Sequence, residues 1–270
     1  MLRTLPVALI LISHALDAQQ PDSSALPPKI QDNSFLVEEA YNQEAGVVQH
    51  IGTLLTRRGS NDFEFAFTQE WPVRSIVHQL SYDIPFVRAS SATGIGDIGI
   101  NYRYQLLGDG NAPIAVTPRL TLVLPTGDWK KSRGDGGFGG EAAIAASFVL
   151  SPLITAHTNA GLLFTPSAKN PAGDKANIYN WSAGQSVILT SSSVVQPMLE
   201  AVYSRGTEVT GNDRTSVGES LILAPGARMA INFESGLQVV PGLAVPIGIG
   251  PSSGERGVFV YLSFEHAFRR

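Results

Sequence analysis

Ten ionisable residues, Glu64, Glu70, Asp83, Asp97, Arg103, Arg119, Glu141, Glu200, Arg228 and Glu265, share one property. Each falls on the polar side of a segment that is apolar at the alternate positions. Seven carry carboxylates and three carry guanidinium groups. Gathered around one interior, they could do either of two things. An acidic field would disfavour anionic solutes and orient the polar tips of others. Arginine–carboxylate pairs between neighbouring strands would instead brace a narrow cavity. Phe259 and Tyr261 fall on the same side and offer an aromatic contact or simple packing.

Other chemistry is harder to assemble. The chain has no cysteine, so thiolate metal sites and thiol nucleophiles are excluded, and no cofactor is implied. Its five histidines are dispersed: His14 lies near the start, His78 and His266 towards one end of their segments, His157 on a polar side, and His50 in uncertain register. A serine hydrolase needs nucleophile, base and orienting group within hydrogen-bond reach. That spacing leaves a phospholipase-like enzyme as the alternative class of chemistry.

The elements that must position these groups are legible in APIAVTPRLTLVLPTGD (112–128). Ile114, Val116, Pro118, Leu120, Leu122 and Leu124 alternate with Ala115, Thr117, Arg119, Thr121 and Val123. A period of two predicts a strand with one face in oil and the other wet. About twelve such segments follow one another from residue 45 onward. Short connectors (WPV, GDGNA, LSP, TSSS, ESG) alternate with longer ones (RRGSN, VRASSATG, GDWKKSRGDGG, SAKNPAGDKAN, TEVTGNDR, GPSSGER). Tight turns at one end and long loops at the other are expected of an outer-membrane barrel. Arg119 then points into a hydrated lumen; at mid-depth on the lipid face it would cost roughly 2–4 kcal/mol. Pro118 and Pro241 remove ladder donors and predict bulges or strained spots. Aromatics form two predicted belts: Trp71, Tyr104, Phe148, Phe233 and Phe268 at the periplasmic rim, and Phe86, Phe164, Tyr179, Trp181 and Tyr203 at the outer rim.

Composition agrees. The 270-residue chain has a formal net charge of −4, which gives no basic footprint for nucleic acid. Residues 1–18 (MLRTLPVALILISHALDA) read as a signal peptide, with Arg3 before a short apolar run and small residues at the cleavage point. Residues 19–44 form an N-terminal periplasmic segment or plug, and 45–270 the barrel. Within FLVEEAYNQE, Phe35, Glu38, Glu39, Tyr41 and Gln43 are the candidate plug residues. The stretch does not alternate, and its residues predict a turn or two of helix capped by Asn33 or Ser34; a loose periplasmic tail is the alternative.

GIGD (94–97), PTGD (125–128) and RGDGG (133–137) are glycine-rich, but no helix N-terminus follows to receive an anion. Their glycines are expected to serve turns and close strand approach. Four of the five lysines (Lys130, Lys131, Lys169, Lys175) fall in outer loops, where they meet solvent or lipopolysaccharide phosphates. GVFVYLSFEHAF resembles the C-terminal assembly signal of outer-membrane barrels, although Arg269 and Arg270 follow the terminal aromatic.

From about residue 33, NSFLVEEAYNQEAGVVQHI, EFAFTQEWPV, HQLSYDIPF, GIGDIGINYRYQLL and PRLTLVLPTGD together resemble the outer-membrane transporter family named for the meta-pathway of phenol degradation. EEAYNQE, GxGD and LPTGD are the most specific elements. The resemblance implies a β-barrel with a transport role for small aromatic or other hydrophobic compounds, and it assigns no binding site.

The expected protein is therefore all-β: a transmembrane antiparallel up-and-down β-barrel of about twelve strands, with a short N-terminal helical or extended segment. Its expected function is passive passage of a small-molecule permeant across the outer membrane. A sealed structural barrel and a phospholipase-like enzyme are the alternatives. Expected partners are outer-membrane lipids, lipopolysaccharide and, during biogenesis, the barrel-assembly machinery.

Overall fold

The computed structural model describes residues 32, 34–89, 91–192, 194–235 and 237–267. The signal-peptide reading, Asn33 and the terminal Phe268–Arg270 lie outside them. Twelve antiparallel strands follow in chain order: β1 (Val47–Arg57), β2 (Phe63–Val73), β3 (Ser75–Ala89), β4 (Ile98–Tyr104), β5 (Ile114–Leu124) and β6 (Gly139–Ser151). They continue as β7 (Ile154–Lys169), β8 (Lys175–Leu189), β9 (Val195–Gly211), β10 (Arg214–Met229), β11 (Gln238–Ala244, resuming at Ile247–Gly248) and β12 (Gly257–Ala267). Each pairs with its sequence neighbours, and β12 pairs with β1 from Val47↔Ala267 to Arg57↔Gly257, closing the barrel. Closure leaves no strand edge, so backbone groups are satisfied without water.

Burial alternates as the pattern requires. On β5, Leu120 and Leu122 are 61% and 49% exposed on the outer face, whereas Thr117 and Arg119 are buried inside. The outer wall carries a run of exposed Leu, Ile, Val, Phe and Tyr that would aggregate in water and is at home in acyl chains. Cross-strand ring pairs mark its outer rim: Phe164 and Tyr179 stack at 4.7 Å, and Trp181 lies 5.1 Å from Tyr203.

The prolines mark two different irregularities. Beside Pro118, the amides of Leu106 and Leu107 both donate to Val116 O (3.0 and 3.1 Å), which is a bulge between β4 and β5. Pro241 sits in a gap, without slip, between the Arg228↔Gly242 and Ile231↔Val239 pairs. Connector lengths also depart from expectation. TEVTGNDR is not a loop: β9 and β10 continue upward as a ribbon and turn only at Asn212–Asp213, with Asp213 at φ 54°. Glu219, on the outer face, pairs there with Arg205 (3.5 Å). Gln185 also faces outward and is satisfied by Thr158 Oγ1 and the carbonyls of His157 and Ser186.

The N-terminal segment departs most from the helical expectation. Residues 34–44 form no helix; they run extended and bent inside the barrel. A helix would have satisfied its amides internally. Here wall side chains supply the acceptors, so helical propensity is overridden.

Candidate functional site

The segment lies against the inner wall as a hoop and meets the strands nearly in turn. Asp32 accepts Tyr261 Oη (2.6 Å) and Ser263 Oγ from β12, and Gln49 Nε2 (3.1 Å) from β1. Phe35 packs on Phe259 and Tyr261, with ring centroids at 5.6 and 5.5 Å. The amides of Phe35, Leu36 and Val37 all donate to the Glu200 carboxylate on β9 (3.0, 3.0 and 3.2 Å). Three successive N–H groups form an anion-holding nest, and the barrel wall supplies the anion. Glu38 exchanges hydrogen bonds with Asn159 on β7. Ala40 N donates to Ser147 Oγ (2.7 Å), and its carbonyl accepts from Thr117 and Gln105. Asn42 N and Gln43 N then donate to Gln105 (2.8 Å) and Gln79 (2.5 Å), returning the chain towards β1.

Three wall glycines give the hoop its space. A Cβ at Gly242 would lie 2.4 Å from the Phe35 ring, one at Gly226 2.8 Å from it, and one at Gly184 2.9 Å from Val37. At Gly242 and Gly184 the hoop excludes a side chain, and at Gly226 the Leu243 carbonyl of the neighbouring strand (2.7 Å) excludes one as well.

The charged candidates divide by depth. Arg103, Arg119, Glu141, Glu200, Arg228, Tyr261 and Glu265 are buried at the level of the hoop, as is Glu70. Arg119 bridges Glu141 of the wall (Nη2–Oε2, 2.8 Å) and Glu38 of the hoop (Nε–Oε1, 3.3 Å). Arg103 donates to the Glu39 carbonyl (2.6 Å). Arg228 holds Gln196 through two bonds to Oε1 (3.0 and 2.8 Å). Arginine thus braces the interior, but much of the bracing runs from wall to hoop rather than strand to strand. Glu64 and Asp83 are half-buried, nearer the outer mouth. Among the plug candidates, Phe35, Glu38, Glu39, Tyr41 and Gln43 are all buried, and Tyr41 Oη donates to Ala112 O (2.8 Å).

Sequence reading missed the neutral half of the site: Gln79, Gln105, Ser147, Asn159 and the glycines. Their signal was present in the inward register of each strand, but a census of charges alone passes over amides and hydroxyls.

The histidines separate as well. His50 and His266 meet across the closing seam on the outer face (Nε2–Nε2, 3.2 Å), and His78 meets Tyr102 Oη there (2.7 Å). His157 Nδ1 lies 2.7 Å from Ser147 Oγ, with Glu39 Oε2 4.0 Å from Nε2. This serine–histidine–glutamate set is enclosed beneath the hoop, and its hydroxyl already accepts the Ala40 amide, so a substrate has no approach while the hoop stays.

Asp97 keeps the inward parity of Asn101 and Arg103 but stands above them, half-buried. At the outer rim it ties the glycine-rich motifs together, accepting the amides of Gly127 (2.8 Å) and Asp135 (2.7 Å). Side chains at Gly127 or Gly134 would strike Arg133 O or the Asp97 carboxylate, so these glycines serve close approach. Burial, and then the neighbouring Asp97 carboxylate, pushes the Asp135 carboxyl up to about 6 against the pull of Thr165. A carboxyl raised in the fold stabilises it fully below the ordinary carboxylate range and loses that contribution as pH climbs through about 6. Residues 125–138 should therefore show higher amide-exchange protection factors at about pH 5 than at about pH 8. Asp135→Asn should flatten that difference.

No family model matches this sequence, and no curated protein does. Among solved structures, the barrel is similar to an outer membrane channel from Pseudomonas putida F1, with TM-score 0.61 and 11% identity over 85% of this chain and 98% of that one. It is also similar to NanC porin, with TM-score 0.52 and 10% identity over 83% of this chain and all of the porin. At such identities the likeness concerns the fold, which is that of an outer-membrane β-barrel.

Proposed function

We propose that the protein is an outer-membrane channel for passive passage of small hydrophobic or aromatic molecules. The observation that carries this reading is the hoop. A twelve-stranded barrel is wide enough for a passage, yet Asp32 and residues 34–43 occupy its cross-section, held to the wall. Such a lumen is unsuited to bulk hydrophilic diffusion. On the outer side of the hoop, a pocket lined by Leu36, Leu55, Ile222 and Pro246 has Arg57, Glu255 and Arg256 at its rim. At about 40 Å³ it is a narrow constriction, whose apolar lining and polar rim would favour a slim solute with one polar tip. The resemblance of EEAYNQE, GxGD and LPTGD to the phenol meta-pathway transporter family supports the same solute class.

Cells lacking the protein should take up radiolabelled monoaromatic compounds at low concentration several-fold more slowly than complemented cells. Liposomes carrying it should swell slowly in sugars. Rapid swelling in disaccharides would make it an open porin instead. The completeness of the hoop's burial favours one second reading, a sealed barrel, which would give equal uptake in both strains.

A further inference from the structure

The outer wall is uneven. Over β5–β7 a groove of about 640 Å³ is cut into it, floored by Gly140 and Ala142 and walled by Leu120 and Leu122 on one side and Leu162 and Phe164 on the other. It extends over Ile100 and Tyr102 of β4. Its depth comes from one residue that the barrel itself does not need. A Cβ on Gly140 would meet nothing closer than Thr121 O at 4.0 Å, unlike the cramped glycines of the hoop and rim. Gly140 stands at the outer end of β6, beside the Phe164–Tyr179 stack, so the groove opens into the outer leaflet.

Directly above, the same strands carry the chain's cationic cluster. Lys130 and Lys131 lie in the β5–β6 loop, and Lys169 and Lys175 face each other across the β7–β8 hairpin. Lys130 Nζ and Lys169 Nζ each stand 5.4 Å from the Trp129 ring centroid, so one indole holds both ammonium groups. About 15 Å of strand separates Phe164 from Lys169, a span that a glycolipid headgroup bridges. Apolar groove below and paired ammonium groups around an interfacial tryptophan above are complementary to one kind of molecule.

We propose that this face is a specific site for a phosphorylated, multiply acylated glycolipid of the outer leaflet, of the lipid A class. One acyl chain lies over Gly140 and Ala142, and a phosphate sits between Lys130 and Lys169. The site rests on the outer-membrane reading of the barrel but not on its solute.

The test is native mass spectrometry of the full mature chain in mild detergent, with hexa-acylated lipid A as probe. Wild type should retain one lipid. Gly140→Leu, which fills the groove, and the pair Lys130→Gln with Lys169→Gln should each cut retention at least fivefold. Lipid-free melting temperature should stay unchanged for Gly140→Leu, which separates a filled groove from a damaged barrel. Equal retention by all variants would overturn the site, as would equal binding of dephosphorylated lipid A or phosphatidylglycerol. A dimer that forms through this face in place of the lipid adduct would overturn it too. None of these outcomes bears on conductance or uptake, so the channel reading stands or falls separately.

Discussion

Removing residues 19–44 should raise single-channel conductance on the order of tenfold in planar bilayers, because a barrel of twelve strands without its filling leaves a water-wide lumen. Residues 1–18, the expected signal peptide, are kept so that export should be unaffected. The wall should survive the loss. Arg119 retains Glu141, and the groups that served the hoop, Glu200, Gln79, Gln105, Asn159 and Ser147, become solvated by the water that replaces it. Loss of the serine–histidine–glutamate geometry accompanies the deletion, since Glu39 leaves with the segment. Conductance equal to that of the full chain would show that the hoop does not obstruct the path.

A single substitution should act almost as strongly. Gly242→Leu places its first side-chain atom about where the Phe35 ring stands, 2.4 Å from it, and adds three carbons more. The ring must leave its seat on Phe259 and Tyr261 and forfeits about 1.5–3 kcal/mol of burial. Once Phe35 moves, the three amides on Glu200 lose their alignment, since they belong to residues 35–37. The expected result is frequent large openings in single-channel records and faster proteolysis between residues 32 and 43. Phe35→Ala alone should loosen the hoop less. Phe35→Ala combined with Gly242→Leu should be less damaging than the sum of the two, because the pair shares one space. Additive effects, or a Gly242→Leu channel as quiet as wild type, would remove Phe35 as the anchor.

Both experiments turn on residues of unequal legibility. The barrel could be read from the sequence because membrane β-structure writes its two environments into alternate positions, and Arg119 between Pro118 and Leu120 is the plainest example. The burial of Arg103, Arg119, Glu141, Glu200 and Arg228 follows from that same alternation. The hoop could not be read so well. FLVEEAYNQE has good helix formers, and local propensity says nothing of a wall that offers acceptors to the amides of residues 35–38, 40, 42 and 43. Gly184 and Gly242 are unremarkable in their strands, because what excludes a side chain there is a segment about 150 or more residues away in sequence. The partners of Asp97 are hidden for a related reason. Strand alternation runs out at the rim, and a loop brought back from residues 127 and 135 decides its partners.

Asp32 reaches the first strand through Gln49 and the last through Tyr261 and Ser263. These partners come together only after the first and final strands have zipped. During biogenesis the leading stretch is made earliest yet can dock last, so its sheltered state is a chemical report that the cylinder is finished. A chain stalled before that step should leave the stretch undocked and open to proteolysis.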